Sequence, residues 1–544
     1  MTAADLLVRC LESEGVEYIF GIPGEETLSL MDSLSRSRIR FVLTRHEGGA
    51  AFMANVYGRL TGRPAVCLAT LGPGATNLLT GVADAYLDRS PLVAITGQVP
   101  LSKVHKEAHQ YINLVEIFRP ATKWNARIEN PGVIPEVVRK AFKLAQQEKP
   151  GATHLELPED VAGMEAEGEP LFPAPISYPQ PNPSAVKEAS RLIEQASYPM
   201  VLSGQGIIRR EASRELASLA HHLSLPVANT FMGMGTMDCR DDLSLSTVGL
   251  HERDWVMCGL DRADVVLAAG YDPVEYEPRF WNRGRTKRLI HLDTTPAGVD
   301  AHYNPEVEMV SELKDGLLAL AQTCSPRPEP AGQATLRRFI SGELAQYWTD
   351  TSFPVKPQRV IADLRRALGE EDILISDVGA HKVWVARLFP AYRPNTVVIS
   401  NGFASMGIAI PGAMAAKLAF PHRKVVAVVG DGGFMMTAAE LETAKRLRLP
   451  FVVVVWADGG LGMIEWKQMK RYGRSFGVSF TNPDFVLFAQ ALGLPGFRVT
   501  RTEEFLPILL QALELDQPSI IEVPVDYGEN LRLTEKLGRL VCPI

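Results

Sequence analysis

Short apolar runs of strand length alternate with longer amphipathic stretches along most of the chain. In the first third, the apolar runs occupy residues 18–20, 41–43, 65–71 and 92–96. Others follow at 200–203, 265–269 and 289–292, and the two most apolar ones lie at 425–429 and 451–456. The first amphipathic stretch begins with Thr2 and Asp5, which have the spacing of a helix capping box. Strands separated by helices are typical of parallel sheets, so the pattern predicts an α/β fold throughout.

Two proline-rich stretches divide this pattern into three units. Residues 166–184 contain six prolines, and residues 324–335 contain prolines at 326, 328 and 330. Such stretches are extended and form neither helices nor interior strands, so both are predicted to be linkers. A chain of 544 residues is also too long for one hydrophobic core. We therefore predict three doubly wound parallel-sheet domains, at residues 1–165, 185–323 and 336–544.

Composition and charge argue against several classes of protein. Charged residues make up 22% of the chain and the net charge is −7, whereas a nucleic-acid-binding protein usually carries a basic face. The longest apolar runs are too short to span a bilayer, and the first residues lack the pattern of a signal peptide. The six cysteines are scattered without a Cys-x-x-Cys pair. We therefore expect a cytoplasmic protein with reduced thiols and no membrane contact.

Two carboxylates directly follow the two most apolar strands of the third unit. Gly-Asp-Gly-Gly at 430–433 follows the first strand, and Asp458 with two glycines follows the second. Ligands bind at the carboxyl ends of strands in open α/β sheets, glycines admit a phosphate, and Mg²⁺ prefers carboxylate and phosphate oxygens. Either turn alone is explained as well by backbone needs. Both together, with Glu-Leu-Glu-Thr-Ala at 440–444 between them, favour a diphosphate bridged by Mg²⁺.

Residues 430–460 resemble the Gly-Asp-Gly…Asn signature of thiamine diphosphate-dependent enzymes. The resemblance implies that Asp431, Asp458 and the carbonyl of Gly460 hold Mg²⁺, with thiamine diphosphate as the cofactor. Asp458 stands where the family usually has Asn, but aspartate is a competent ligand and resembles the catabolic acetolactate synthases. The resemblance also implies a homodimer or homotetramer with active sites at the subunit interface. The three units then become the pyrimidine-binding, middle and diphosphate-binding domains.

Thiamine chemistry requires a carboxylate that hydrogen-bonds the pyrimidine ring, and Glu47 is our candidate. It follows the strand at 41–43 in the sequence Arg-His-Glu-Gly-Gly-Ala-Ala and matches the family's His-Glu-x-x-Ala pattern. Taken alone, a glutamate at this position would be an ordinary helix-start residue that complements the dipole.

Further cofactor contacts come from loops that follow strands. The resemblance assigns this role to Ile22, Pro23, Gly24, Gly74 and Asn77 in the first unit, and to Gly379, His381, Gly402, Phe403, Met406, Gly432, Gly433, Leu461, Gly462 and Met463 in the third. Met406 would support the bent shape of the cofactor, although methionine there is also compatible with ordinary core packing.

Several features resemble the acetolactate synthase branch of the family. Gln110, a second catalytic candidate, stands with His109 where keto-acid decarboxylases carry a His-His pair. His109, Lys123, Trp466 and Lys467 are the predicted substrate residues. Residues 270–282 resemble the FAD-independent form, so we expect no flavin, although the Gly-Gln-Gly at 204–206 would suit a dinucleotide.

The expected reaction decarboxylates pyruvate and joins the remaining two carbons to a second 2-keto acid, giving 2-acetolactate. Three alternatives stay open at this point: another thiamine-dependent decarboxylase or oxidase, an acyl-CoA lyase, and a homologue without catalysis.

Overall fold

Three six-stranded sheets, each with all its strands parallel, form the architecture of the chain. The computed structural model describes residues 1–249 and 254–542, and helices flank all three sheets. The predicted fold class is confirmed. No helix in the described ranges has the length and apolar character needed to cross a bilayer.

The first sheet has the strand order β2-β1-β3-β4-β6-β5. Its strands are β1 (Tyr18–Gly21), β2 (Arg40–Leu43), β3 (Ala65–Ala69), β4 (Leu92–Gln98), β5 (Trp124–Arg127) and β6 (Ala152–Pro158). The helices of this domain are α1 (Ala3–Ser13), α2 (Leu28–Ser35), α3 (Glu47–Thr61), α4 (Pro73–Leu87), α5 (Leu114–Phe118), α6 (Ile134–Gln146) and α7 (Glu159–Gly163). Thr2 and Asp5 form the predicted capping box of α1. Strand β3 ends at Ala69, two residues before the end of the predicted apolar run at 65–71, because the chain turns at Gly72, where φ is +54°.

The middle sheet has the order β12-β11-β10-β7-β8-β9. Successive strands are added on one side of β7 up to β9 and on its other side from β10 onward, so the strand order reverses between β7 and β10, although all the strands stay parallel. Its strands are β7 (Pro199–Ser203), β8 (Val227–Asn229), β9 (Ser244–Thr247), β10 (Val265–Ala269), β11 (Arg288–Asp293) and β12 (Val307–Val310). Its helices are α8 (Pro183–Gln195), α9 (Gln205–Arg209), α10 (Ser213–Leu223), α11 (Trp255–Arg262), α12 (Pro278–Trp281) and α13 (Leu313–Thr323). Helix α14 (Gln333–Ala345) begins inside the second predicted linker, and its Leu336 packs in the core of this domain.

The third sheet, of order β14-β13-β15-β16-β18-β17, repeats the strand permutation of the first. Its strands are β13 (Ile373–Ser376), β14 (Val397–Ile399), β15 (Val425–Gly430), β16 (Val452–Ala457), β17 (Gly496–Arg498) and β18 (Ser519–Pro524). The helices are α15 (Pro357–Ala367), α16 (Ala380–Leu388), α17 (Ala409–Ala419), α18 (Asp431–Thr437), α19 (Glu440–Arg446), α20 (Gly462–Tyr472), α21 (Phe485–Ala491), α22 (Phe505–Leu513) and α23 (Gly528–Gly538). Small residues let α17 approach α3 closely, so the first and third domains share one hydrophobic core.

The cysteines differ from expectation. Cys258 of α11 and Cys542 form a disulfide, with Cα atoms 5.6 Å apart, whereas Cys10, Cys67, Cys239 and Cys324 are free. The expectation that all the thiols are reduced was therefore wrong for one pair. The two partners lie 284 residues apart in the sequence, so no spacing motif could have indicated the bond.

Candidate active site

A cavity of about 130 Å³ lies at the carboxyl ends of β13, β15 and β16. The first residues of α16, α18 and α20 line it, so N–H groups without a partner inside their own helix lie around one space. The predicted residues that line it are Gly379, His381, Met406, Asp431, Gly432, Gly433, Asp458, Gly460, Leu461, Gly462 and Met463. The sequence analysis missed Tyr527, which follows β18 and also lines the cavity. We call this space the cofactor cavity.

Asp431 organises the two loops of the predicted metal site. Its carboxylate is buried, and Oδ2 accepts hydrogen bonds from the N–H groups of Asp458 (3.0 Å) and Gly459 (2.7 Å). The same oxygen accepts a hydrogen bond from Nδ2 of Asn482 at 2.7 Å. Asn482 lies outside both sequence motifs, and its buried Oδ1 has no hydrogen-bond partner within the described part of the chain.

Asp458 lies in an environment that favours a cation. Burial raises the pKa of its carboxyl to about 8, and the charges of Asp431 and Glu465 contribute in the same direction. A divalent ion would offset this concentration of negative charge, and its remaining positions would suit phosphate oxygens. Around the carboxylates, no further His, Cys, Asp or Glu completes a metal cluster among residues 1–249 and 254–542. The donor set therefore fits Mg²⁺ shared with a diphosphate.

The other walls of the cofactor cavity are also prepared for a ligand. A Cβ placed on Gly432 would lie 3.2 Å from Leu461 Cδ2 and 3.6 Å from Met406 Cε, so a larger residue there would fill the space. Asp377 holds the Met406 loop, because both oxygens of its buried carboxylate accept the N–H of Gly407, Oδ1 at 2.9 Å and Oδ2 at 3.0 Å. Burial lowers the pKa of His381 to about 3, which keeps this imidazole neutral. Its buried Nε2 has no partner in the described ranges and is available to a cofactor.

Glu47 is the first residue of α3 and is half-buried. Its Oε2 accepts a hydrogen bond from Nδ2 of Asn77 at 3.1 Å, and a Cβ on Gly74 would lie 3.3 Å from its Oε1. The structure thus brings together three of the predicted first-domain residues. Gln110 lies across the same loop, since its carbonyl oxygen would be 2.8 Å from a Cβ on Gly72.

The remaining first-domain candidates lie around this cluster. The Ile22, Pro23 and Gly24 loop follows β1, and a Cβ on Gly24 would clash with Thr70 at 2.5 Å. His109 is exposed and precedes Gln110 in the same loop. Within the described chain, no first-domain residue lines the cofactor cavity. One chain therefore carries Glu47 and the carboxylate pair in two separate clusters.

A buried contact from the third domain holds the start of α3. Oε1 of Glu440 accepts hydrogen bonds from the N–H groups of Arg45 and His46, both at 3.0 Å, and Thr443 donates to Oε2 at 3.0 Å. A Cβ on Gly49 would come within 2.4 Å of Oε1, so glycine is required there for this approach. The sequence places Glu440 in the Glu-Leu-Glu-Thr-Ala segment between the two carboxylates, and nothing in that segment indicates this contact.

Comparison with known proteins agrees with this geometry. Family models described as thiamine pyrophosphate enzyme domains match the chain at residues 1–117 (N-terminal TPP binding domain), 186–320 (central domain) and 377–523 (C-terminal TPP binding domain). The acetolactate synthase of Bacillus subtilis (strain 168) is 35% identical over 98% of this chain and 95% of its own length. The catabolic acetolactate synthase of Raoultella terrigena is 36% identical, over 98% and 97%.

The chain is a thiamine pyrophosphate enzyme of the acetolactate synthase family. The predicted family resemblance is confirmed. The probable acetolactate synthase large subunit of Methanocaldococcus jannaschii is 34% identical over 99% of this chain and 94% of its own length.

Some predicted residues of this thiamine pyrophosphate enzyme lie away from both clusters. The ammonium of Lys123 donates to the backbone carbonyls of Gln147 and Lys149, the latter at 2.7 Å, and burial lowers its pKa to about 8. Phe403 is 46% exposed, and the N–H of Gly402 donates to Asp88 Oδ1 at 2.8 Å instead of facing the cofactor cavity. The structure does not bring these three residues to the cofactor cavity.

A second, larger cavity of about 560 Å³ opens beside the first, between the middle and third domains of the enzyme. The predicted substrate residues Trp466 and Lys467 line it, and Met463 lines both cavities. The indole N–H of Trp466 donates to Thr534 Oγ1 at 2.8 Å, whereas Lys467 is exposed. We call this space the substrate cavity.

The reversal point of the middle sheet, where α/β proteins often bind dinucleotides, is closed by side chains of the chain itself. The N–H of Gln205, at the start of α9, donates to both carboxylate oxygens of Glu275 at 3.2 and 3.1 Å. A Cβ on Gly204 would lie 2.4 Å from the carbonyl oxygen of Gly270, so the loops after β7 and β10 are in direct contact. Burial raises the pKa of Glu275 to about 7.

Proposed function

We propose that this enzyme decarboxylates pyruvate and joins the remaining two carbons to a second 2-keto acid, giving 2-acetolactate when the second molecule is also pyruvate. The observation that carries the proposal is the paired Asp431 and Asp458 at the strand ends, directly beside a cavity large enough for substrates. The relatives that match over the full chain carry the name of this activity.

The cofactor cavity would hold thiamine diphosphate together with Mg²⁺. Asp431, Asp458 and the carbonyl of Gly460 are the proposed ligands of the metal, and the N–H groups at the helix starts would bind the diphosphate. When bound, the thiazolium supplies the electron sink that stabilises negative charge at the carbonyl carbon after carbon dioxide leaves. His381, held neutral by its burial, can donate or accept a hydrogen bond without adding charge.

Glu47 is the proposed catalytic carboxylate. One carboxyl oxygen of Glu47 would hold a proton against the pyrimidine ring of the cofactor, while Asn77 donates a hydrogen bond to Oε2 and fixes the orientation of the carboxyl group. Because the cofactor cavity has no lining residue from the first domain in the described chain, Glu47 would serve the cavity of a second copy. This separation supports a homodimer or homotetramer with active sites at the subunit interface.

We further infer that the reaction needs no flavin. At the reversal point of the middle sheet, the carboxylate of Glu275 accepts the N–H of Gln205, which is the type of donor that a dinucleotide phosphate would require. Because Glu275 already occupies this N–H and the glycine loops after β7 and β10 pack against each other, the position is closed to a phosphate.

The test is turnover of pyruvate by purified enzyme with thiamine diphosphate and Mg²⁺ but without flavin. We expect 2-acetolactate as the main product, and about 10²–10⁴-fold slower turnover for Glu47→Gln, whose amide cannot exchange the proton. Acetaldehyde, acetate or an acyl-CoA as the main product would instead assign another thiamine-dependent reaction. Full turnover by Glu47→Gln would refute the role of Glu47.

A further inference from the structure

The Met406 loop, residues 400–407, follows β14 and reaches the cofactor cavity. Met406 lines that cavity, whereas Asn401 and Ala404 line the substrate cavity beside it. Pockets for ligands of the size of thiamine diphosphate measure about 300–1,000 Å³, so the cofactor cavity of about 130 Å³ holds only part of this cofactor. The rest must lie in the adjoining cavity, which the Met406 loop also lines.

Ala404 gives the Met406 loop a conformation that residues with a side chain seldom adopt. Its φ is +59°, in the left-handed region, where Cβ comes too close to the backbone carbonyl oxygen. Gly407, the other position of the loop with a positive φ, is a glycine and has no such penalty. A strained alanine persists only where the surrounding structure holds it, so the loop needs contacts from other elements.

Two buried carboxylates of α4 supply such contacts on both sides of the left-handed residue. Asp88 Oδ1 accepts the N–H of Gly402 at 2.8 Å, and Asp84 Oδ1 accepts the N–H of Ser405 at 3.1 Å. Asp84 Oδ1 also accepts the hydroxyl of Ser400 at 3.0 Å. A Cβ on Gly402 would lie 2.8 Å from Asp88 Oδ1, so glycine is needed for this approach. Because the two carboxylates lie one helical turn apart, a single face of α4 holds the loop.

Other side chains of the first domain fix the two carboxylates in turn. Oδ2 of Asp84 accepts a hydrogen bond from Nδ2 of Asn55 at 2.8 Å, and the guanidinium of Arg59 lies 3.9 Å from Oδ2 of Asp88. Arg59 also donates to the carbonyl of Ile399, at the end of β14, at 2.7 Å. The first domain thus holds a loop of the third domain from the end of β14 to residue 405.

We propose that Asp84 and Asp88 are positioning residues, which hold the Met406 loop in the strained conformation that binds thiamine diphosphate. The inference rests on the proposed function for the identity of the cofactor. Asp377 fixes the far end of the same loop through the N–H of Gly407. A loop held in this way is ordered before the cofactor arrives, so binding does not have to order it.

The experiment measures the loop and the cofactor affinity without any turnover. Isothermal titration calorimetry of the cofactor-free enzyme in the presence of Mg²⁺ gives the Kd of thiamine diphosphate. Mass spectrometry gives the rate of amide hydrogen exchange at residues 402–407 before the cofactor is added. We expect Asp84→Ala to raise both the Kd and the exchange rate about tenfold or more, because the loop loses two hydrogen bonds. Asp84→Asn, which keeps Oδ1 as an acceptor, should raise the Kd less than about threefold. An unchanged Kd or an unchanged exchange rate in Asp84→Ala would overturn the proposal.

A rescue variant separates positioning from general damage. Ala404→Gly removes the strain, since glycine adopts a positive φ without a penalty. Added to Asp84→Ala, it should lower the Kd at least about fivefold relative to Asp84→Ala alone, because the loop no longer has to be held against its own preference. A double variant that binds the cofactor no better than Asp84→Ala would show that Asp84 does not act on the strained loop.

Asp264→Ala is the matched control. Its carboxylate accepts the N–H groups of Ser197 and Tyr198 at 2.7 and 2.9 Å in the middle domain, and it lines neither cavity. The variant therefore loses the same type of contact elsewhere and should leave the Kd of thiamine diphosphate unchanged. A rise equal to that of Asp84→Ala would reduce the effect to general destabilisation and refute the positioning role.

The proposed function and this inference fail in different ways. If the wild type forms 2-acetolactate and Asp84→Ala binds the cofactor normally, only the inference is wrong. If the wild type binds thiamine diphosphate but forms another product, the proposed function is wrong, and a weakened Kd in Asp84→Ala still supports the positioning role. If the wild type does not bind thiamine diphosphate, both are wrong.

Discussion

Replacing Glu440 by alanine should disturb Glu47 while leaving the metal ligands in place. The buried carboxylate accepts the N–H groups of Arg45 and His46, which directly precede Glu47 at the start of α3. Each buried donor left without an acceptor costs about 1–3 kcal/mol. With two such donors, we expect Glu440→Ala to lower the free energy of unfolding by about 2–6 kcal/mol, or to release the start of α3 at a similar cost.

The effect of Glu440→Ala on catalysis follows from where Glu440 binds, directly before Glu47 at the start of α3. A displacement of about 1 Å at a reacting group costs roughly 10²-fold in rate. We expect Glu440→Ala to slow turnover and the exchange of the cofactor's C2 proton for deuterium by the same factor, about 10–100-fold. The KM for pyruvate should change little, because Glu440 does not line the substrate cavity. The exchange rate, followed by NMR, reports the proton step that Glu47 would assist.

Two further variants separate positioning from general damage. Glu440→Gln keeps Oε1 as an acceptor for both N–H groups and should slow exchange only several-fold. Gly49→Ala places a Cβ within 2.4 Å of that same oxygen, so it should reproduce the defect from the opposite side of the contact. Glu442→Ala is the control, because it removes only partly exposed ion pairs, with Arg446 on the same helix and with the side chain of Arg45, and leaves the backbone contact of Glu440 in place. Normal exchange in a stable Glu440→Ala protein would refute the positioning role.

Three other outcomes are expected. Asp458→Ala should raise the Mg²⁺ concentration for half-maximal activity more than 100-fold, whereas Asp458→Asn, which keeps a ligand oxygen, should raise it less than tenfold; similar values for the two variants would argue against a metal ligand. Burial lowers the pKa of His154 to about 3. As the pH falls below about 6.5, protons therefore bind the unfolded chain but not the folded one, and the free energy of unfolding falls. Between pH 7.5 and 5.0 the wild type should lose about 2 kcal/mol more than His154→Phe in urea unfolding, and equal losses would contradict a neutral buried imidazole. Thiol titration of denatured protein should count four groups before reduction and six after it, and six before reduction would exclude the bond between Cys258 and Cys542.

The sequence by itself determined the features that are encoded locally. Apolar strands and capped helices follow from side-chain periodicity, so the three parallel α/β sheets were predictable. Asp431 and Asp458 were identifiable as candidate metal ligands because each lies within a few residues of a strand end, where open α/β sheets bind ligands. Glu47 was identifiable as a candidate because its neighbours in the sequence carry the family pattern.

The tertiary structure alone decided the contacts between distant segments. Glu440 reaches the backbone of Arg45 across 395 residues of sequence, and this approach depends on the absence of a side chain at Gly49 of α3. Tyr527 lines the cofactor cavity and Asn482 binds the carboxylate of Asp431, both from segments without a motif. Lys123 binds backbone carbonyls in place of the predicted substrate contact. Such contacts depend on the relative placement of whole elements, which is set by the summed packing of the core and not by any local pattern.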